Sequence, residues 1–298
     1  MNILMTGSSG LIGTALRDHL DANGHGVVPL MRATLNIPEL PHWVPDQGIL
    51  HIPEDFDVEA IIHLAGAPLN HFPWTKKYKE ELVLSRVQGT ALLASALTEM
   101  DPMPKVLITA SAIGYYGHRE EEVVDEESAP GEGFLAETCV AWENACQAAI
   151  EAGIRVVNLR IGLVLSSEGG LLKSFLGPFR SGLGAVMGSG RQMNSWITMH
   201  DLVRAVRFVL EKDFRGPVNL VSPNAVPHKE FAKTLGRVLH RPVLFRIPGW
   251  MLRMAMGEAA REMILGGVAV EPAVLKKKHF TFHHPQLEDA LESVLHPE

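Results

Sequence analysis

Cysteine is nearly absent from this 298-residue chain. Its two thiols, Cys139 and Cys146, would stand about 10 Å apart along a shared helix, beyond the roughly 7 Å Cα spacing that a disulfide spans. Two unpaired thiols suit a reducing compartment, so a cytoplasmic setting is expected. Also missing is an apolar run long enough to cross a bilayer. No basic leader precedes the N-terminal apolar segment, which Gly7, Gly10 and Gly13 interrupt, so a signal peptide is not expected. Basic charge is in deficit: 27 Lys and Arg against 34 Asp and Glu leave a net charge of −7. That balance disfavours a nucleic-acid surface, which would show a basic face. Neither a nucleic-acid nor a membrane partner is expected. What remains is ordinary for a folded protein, with 46% apolar and 20% charged residues.

The order of segments is more telling. MNILMTG reads as a strand ending in a glycine turn, LIGTALRDHLDANG as a helix stopped by Gly24, and HGVVPLMR as a second strand. Residues 33–57 are Pro-rich and irregular, with room for a short strand near Gly48 to Ile52. VEAIIHLAG, KVLITASA, IRVVNLRIGLVL and GPVNLVSP are continuous apolar runs of the kind buried on both faces of a parallel sheet. Helical stretches from about Lys76 to Glu99, over FLAETCVAWE (residues 134–143), over MHDLVRAVRFVLEKD and over HKEFAKTLGRVLHRP separate or follow them. Such alternation predicts βαβ units: an α/β fold with a Rossmann-like, doubly wound parallel sheet. After about Leu165 the alternation loosens and glycine and proline become dense. The expected organisation is a nucleotide-binding domain over residues 1–165 with returns at about 197–222. A small C-terminal α/β substrate lobe follows over 166–298, with a helical segment over about 245–298. In that segment GWMLRMAMGEAAREMILGG reads as an amphipathic helix whose methionines pack into the core.

The strongest motif is Thr6-Gly7-Ser8-Ser9-Gly10-Leu11-Ile12-Gly13, placed between the first strand and the first helix. Gly7 permits the tight turn, Gly10 lets the backbone approach a pyrophosphate, and Gly13 lets helix and strand pack closely. Ser9, Leu11 and Ile12 would present backbone N–H groups at the positive end of the helix. The second strand ends Leu30-Met31-Arg32-Ala33, with no carboxylate to hold ribose hydroxyls. Arg32 offers instead a planar fork for a 2′-phosphate, so the expected cofactor is NADP(H).

These runs carry a resemblance. TGSSGLIG, HLAG, TASAIGYYG and LRIGLVL resemble an extended short-chain dehydrogenase/reductase. WTKKYKEELVLSRVQGT, GFLAETCVAWENA, GSGRQMNSWITMHDL and GEAAREMILGGVAVEPAVL narrow it to the epimerase-like YfcH family of the NAD-dependent epimerase/dehydratase superfamily, nearly end to end. The resemblance implies a Rossmann-like domain with a small substrate lobe, and names no substrate. It implies that Leu64, Ala65 and Gly66 lie along the adenosine side of the cofactor, and that Val164 lies where relatives close over the nicotinamide. Arg86, where relatives carry an Asn on the helix, is expected to reach the cofactor, with Glu81 orienting it or touching the ribose.

Typical members pair Tyr-x-x-x-Lys on the helix after the acidic loop, the tyrosine acting as acid/base and the lysine lowering its pKa. Here Leu135 and Cys139 stand at those positions. Four residues beyond Tyr78, Tyr115 and Tyr116 come Leu82, Arg119 and Glu120, so the pair exists nowhere in the chain. The face shared by Leu135 and Cys139 has lost the usual proton machinery, and Cys139 reads as a small buried hydrophobe. Candidates to replace that machinery are Ser111, at a strand's C-terminal end, and Tyr115 or Tyr116. The doubled tyrosine leaves the serine register open between Ser111 and Ala112. Substrate contacts are expected from Arg191, Asn194 and Trp196, which combine charge, hydrogen bonding and stacking. His200-Asp201 is expected to cap the following helix. His279, His283 and His284 lack a carboxylate at a zinc-motif spacing, so no metal is expected. Two functions stay open: an NADP-dependent oxidoreductase or epimerase-like enzyme with an unorthodox acid/base, and a non-catalytic NADP(H)-binding sensor or interaction protein. The enzyme would take a small molecule, a nucleotide sugar or a carbonyl compound. A homodimer is compatible with either.

Overall fold

The computed structural model describes residues 1–32, 40–53, 56–119 and 122–296. Parts of the Pro-rich 33–57 stretch and of the acidic loop therefore lie outside the described residues. Six parallel strands form the central sheet: β1 (Asn2–Thr6), β2 (Gly26–Pro29), β3 (Ala60–His63), β4 (Val106–Ala112), β5 (Arg155–Ile161) and β6 (Gly216–Leu220). Their spatial order is β2-β1-β3-β4-β5-β6. The apolar runs are continuous because alternate residues are buried on opposite faces. Ile3, Met5, Ile62 and Ile108 pack with Leu16 and Leu20 of α1 (Leu11–Ala22) and with Leu202, Val206 and Val209 of α5 (Met199–Glu211). Leu4, Ile61 and Leu107 face the other way, onto Leu93, Ala94 and Leu97 of α2 (Lys76–Leu97). The expected doubly wound, Rossmann-like α/β architecture is what forms.

The chain goes from β1 out to β2, then returns past β1 to β3. Crossovers diverge there, which opens a crevice beyond the carboxyl ends of β1 and β3. Between these strands the chain makes a separate three-stranded sheet over Met31–Arg32, His42–Val44 and Ile49–His51, the last matching the strand expected near Gly48 to Ile52. Helix α3 (Phe134–Asn144) follows β4. It stops before Cys146, which begins a separate short helix, and both thiols are buried and free.

A second apolar cluster builds the lobe. It joins Leu172, Leu176 and Phe179 of α4 (Gly170–Arg180), Phe231 and Leu235 of α6 (His228–Val238), and Leu287 and Leu291 of α8 (Leu287–Leu295). The methionine-bearing segment departs from expectation. It breaks at Gly257, whose φ of +61° ends α7 (Gly249–Met256), and resumes as a short helical turn over Glu258–Ala260 that runs into a π-turn over Arg261–Leu265. No residue of α7 is buried, and Met254 is 79% exposed, so Met251 and Met254 face solvent rather than the core. Among the described residues no helix is long and apolar enough to cross a membrane.

Two histidines make folding pH-dependent. His63, fully buried at the end of β3, has its pKa lowered to about 3 by burial, from 6.5. Burial lowers that of His228 from 6.5 to about 4. The unfolded chain therefore binds protons below pH 6.5 that the folded chain refuses. Stability is full above that value and falls as pH drops toward the folded values, at up to about 1.4 kcal/mol per pH unit for each histidine. Urea unfolding between pH 7 and about 5, above most carboxylate titration, should show this loss. A flat profile there contradicts the assignment.

Candidate functional site

At the end of β1 the backbone turns through Gly7, with φ of +68°, a conformation only glycine adopts without strain. A Cβ there would sit 2.8 Å from the Leu64 carbonyl carbon, so the turn and the 64–66 segment press together at the crevice. Thr6 ties them: its hydroxyl oxygen bonds His63 Nδ1 at 2.6 Å and accepts from the N–H of Leu64 and Ala65 at 3.2 and 3.3 Å. A Cβ on Gly13 would stand 2.1 Å from the Gly7 carbonyl oxygen. Helix α1 then begins at Leu11 with no side-chain cap and no acidic residue in its first turn. An uncapped helix start facing a glycine cradle presents N–H donors and positive potential, which fits a pyrophosphate.

Arg32 closes the second-strand region as expected, but it is not alone. Asp46, from the three-stranded sheet's connection, pairs with it at 3.0 Å. Both side chains are exposed, so the pair is worth well under 1 kcal/mol and yields readily to a phosphate. Asp46 was invisible to sequence reasoning because its nearness to Arg32 depends on pairing between short strands.

The expected coupling of Glu81 to Arg86 does not occur. Five residues apart is about 140° around a helix, and Glu81 lies exposed on another side of α2. Arg86 donates instead to the carbonyls of Leu82 and Ala67, both at 3.0 Å, and its guanidinium lies 5.2 Å over the Trp142 ring. Burial lowers its pKa.

A cavity of about 930 Å³ opens where β4 and β5 end. Ala112, Leu135, Cys139, Leu163 and Asn194 are among its walls, with Glu262 from the π-turn. The shared face of α3 thus lines a cavity: Leu135 and Cys139 both approach Gly114, and burial raises the Cys139 thiol to about 11, so it stays protonated. The Oδ1 atom of Asn194 is buried without a partner. Glu262 accepts from the Leu135 backbone N–H at 3.2 Å, holding the start of α3. Sequence reasoning missed Glu262, since nothing in its local pattern marks it; the break at Gly257 was the available signal.

The three catalytic candidates are corrected by the structure. Strand alternation turns Ala112 into the cavity and Ser111 away from it, which resolves the register. Ser111 is buried and donates to Glu143 at 2.7 Å. Glu143 forms a two-point ion pair with Arg160, both contacts at 2.9 Å. Arg160 in turn donates to the Tyr116 hydroxyl at 2.9 Å, and that hydroxyl donates to Asn219 at 2.7 Å. Burial pushes the Tyr116 phenol up to about 12. Tyr115 packs its ring against the Arg160 guanidinium, 3.4 Å away, and is not part of the cavity wall. Ser111 and Tyr116 therefore belong to a buried polar network under the site, and the half-buried ring of Tyr115 covers its guanidinium.

Of the expected substrate contacts, only Asn194 reaches the cavity. Trp196 is fully buried in the lobe's core, its indole N–H donating to Asn224, because the strand Trp196–Thr198 pairs with Leu163–Leu165. Arg191 is exposed on a turn outside the cavity wall. Leu163, rather than Val164, lines the cavity; Val164 packs against the main core. The cap of α5 is Thr198, which accepts from the Asp201 N–H, while Asp201 clamps the tail through the backbone N–H groups of His283 and His284. His200, Asp201 and His284 bring ligand-type atoms within 4.8 Å of one another, a grouping that tail spacing alone did not reveal. Asp201 is committed to those N–H groups and to Arg204 at 2.7 Å.

Residues 3–221 match the model of the NAD dependent epimerase/dehydratase family, and residues 247–294 match a domain of unknown function, DUF1731. An epimerase family protein of Mycobacterium bovis is 41% identical over 291 residues, covering 97% of this chain and 96% of that one. The crystal structure of human epimerase family protein SDR39U1 (isoform 2) with NADPH superposes with a TM-score of 0.91 at 30% identity, covering all of both chains. That of a nucleoside-diphosphate sugar epimerase from Corynebacterium glutamicum gives 0.78 at 32% identity, over 99% of this chain and 58% of that one.

Proposed function

Because the chain belongs to the NAD dependent epimerase/dehydratase family, we propose that it is an NADP-dependent enzyme of the oxidoreductase or epimerase type. Its small-molecule substrate, a nucleotide sugar or a simpler carbonyl compound, occupies the cavity bounded by Ala112, Cys139 and Asn194. The observation that carries this reading is the position of that cavity, on the same carboxyl edge of the sheet as the uncapped start of α1. The human relative's crystallisation with NADPH and the Corynebacterium protein's description as a sugar epimerase support it.

The N–H groups of Leu11, Ile12 and Gly13 hold the pyrophosphate, with Gly7, Ser9 and Gly10 giving it room. Leu64, Ala65 and Gly66 flank the adenosine, and Arg32 meets the 2′-phosphate by exchanging Asp46 for it. When bound, the nicotinamide supplies a hydride donor or acceptor. The apolar wall of Leu135 and Leu163 keeps water from that centre, and the neutral Cys139 thiol provides a weak donor without becoming a nucleophile. The unpartnered Asn194 oxygen accepts a substrate hydroxyl.

Incubating NADPH-loaded protein with carbonyl compounds and nucleotide sugars, following reduced-nicotinamide absorbance and sugar stereochemistry by NMR, tests this. Tight NADPH binding with silence across the panel would overturn the enzyme in favour of a sensor. The cofactor choice has its own test. Arg32→Ala should weaken NADPH by about tenfold to a hundredfold, since a charge-assisted bidentate contact is lost, and NADH by less than about threefold. Equal losses for both cofactors defeat the phosphate assignment.

A further inference from the structure

Arg86 is a cation in the cavity wall with no counter-charge among the described residues. Its contacts to the Leu82 and Ala67 carbonyls use two of the five N–H donors a guanidinium carries. Among the described residues no carboxylate pairs with it; the acidic groups near it, Cys139 and Tyr78, are kept protonated by burial. On its other sides are the Trp142 ring and Gly66, where a Cβ would come 3.3 Å from the Arg86 Cζ. Removing a charge from water costs several kcal/mol unless another group meets it. Two neutral carbonyls meet it only in part.

A second observation concerns sign. The chain carries a net charge of −7, yet the charged residues lining the cavity are Arg86, Arg119, Arg253 and Arg261 against Glu132 and Glu262. Arg119 is neutralised by Glu122 at 2.7 Å, and Arg261 lies 3.4 Å from Glu262. Arg86 and Arg253 have no ion-pair partner among the described residues. A positive wall inside an acidic protein concentrates anions and repels cations.

We propose that this cavity selects a ligand bearing an anionic oxygen group, a carboxylate or a phosphate, and that Arg86 is the residue on which that group is seated. The proposal rests on the reading that the cavity holds the substrate, and it narrows the substrate class to anionic compounds. Three guanidinium N–H groups without a partner among the described residues give a planar, forked donor set, which matches two oxygens of one anion. The carbonyl contacts fix the fork in place before the ligand arrives, so little ordering is needed on binding.

The test titrates NADPH-loaded protein with benzoate, phenyl phosphate and the neutral benzamide by calorimetry. At least one anion should bind about tenfold or more tightly than benzamide, and which of the two does so separates a carboxylate site from a phosphate site. Arg86→Gln should abolish that preference, Arg86→Lys should keep part of it, and Arg253→Gln should leave it intact. NADPH affinity and the urea midpoint of the Arg86 variants show whether the 64–67 segment has kept its place. The proposal is overturned if neither anion is preferred, including by failing to bind at all. It is equally overturned if the preference survives Arg86→Gln, or depends on Arg253 instead. If NADPH itself does not bind, the cofactor reading falls, while the anion preference is still read on the bare protein.

Discussion

Alanine at Gly13 is expected to weaken NADPH binding by about tenfold to a hundredfold and to lower stability by about 1–3 kcal/mol, the usual cost of overpacking. The added methyl would lie 2.1 Å from the Gly7 carbonyl oxygen, 2.8 Å from its carbon and 2.8 Å from Ser8 Cα. All three are backbone atoms, so no rotamer change relieves the clash. Either α1 moves away from β1, or the Gly7–Ser8 turn shifts. Both displace the N–H groups of the helix start from the crevice. The turn cannot shift freely, because Gly7 is itself in contact with Leu64 and Ala65 and those are tied to Thr6. NADPH titration and urea unfolding of Gly13→Ala measure the two effects. Affinity within about threefold of the parent would show that this packing does not shape the cofactor site.

Glu143→Ala should cost about 3–5 kcal/mol of stability, because it strands a buried guanidinium. Arg160 is 3% exposed and Glu143 11%. Burial works against the Arg160 charge, and the bonds to Glu143 more than offset it, leaving its pKa raised. Without the carboxylate, Arg160 keeps among the described residues the Tyr116 hydroxyl, a carbonyl at 3.4 Å and the face of the Tyr115 ring, none of them charged, and the Ser111 hydroxyl loses its acceptor. Glu143→Gln should cost less, since an amide still offers an oxygen to one donor. Urea unfolding of both variants gives the comparison. A loss below about 1 kcal/mol for Glu143→Ala would show that water or a neighbour replaces the carboxylate.

The same network explains why the catalytic candidates misled. A serine at a strand's end and a doubled tyrosine after it are legible in one dimension. Which way each points is not, because a shift of one residue along a strand exchanges its faces. Ser111 and Ala112 differ by that single step, and Ala112 lines the cavity. Trp196 misled for a related reason: a tryptophan among polar residues looks like a contact, but the strand it belongs to is clamped beneath the lobe.

Local information was enough for the sheet, the helices that cover it and the glycine turn. Continuous apolar runs, helical spacing and glycine placement act over a few residues, and each element's physics is set within itself. The lack of a Tyr-x-x-x-Lys pair was likewise settled by reading the chain. Tertiary structure alone decided that Asp46 meets Arg32, that Arg86 meets no carboxylate among the described residues, that Glu262 holds the start of α3, and that Ser111 and Tyr116 are sealed under the cavity. Most of those outcomes join residues far apart in the chain, up to 127 positions for Glu262 and Leu135. Their energy depends on distance and burial in space, which no spacing along the chain encodes.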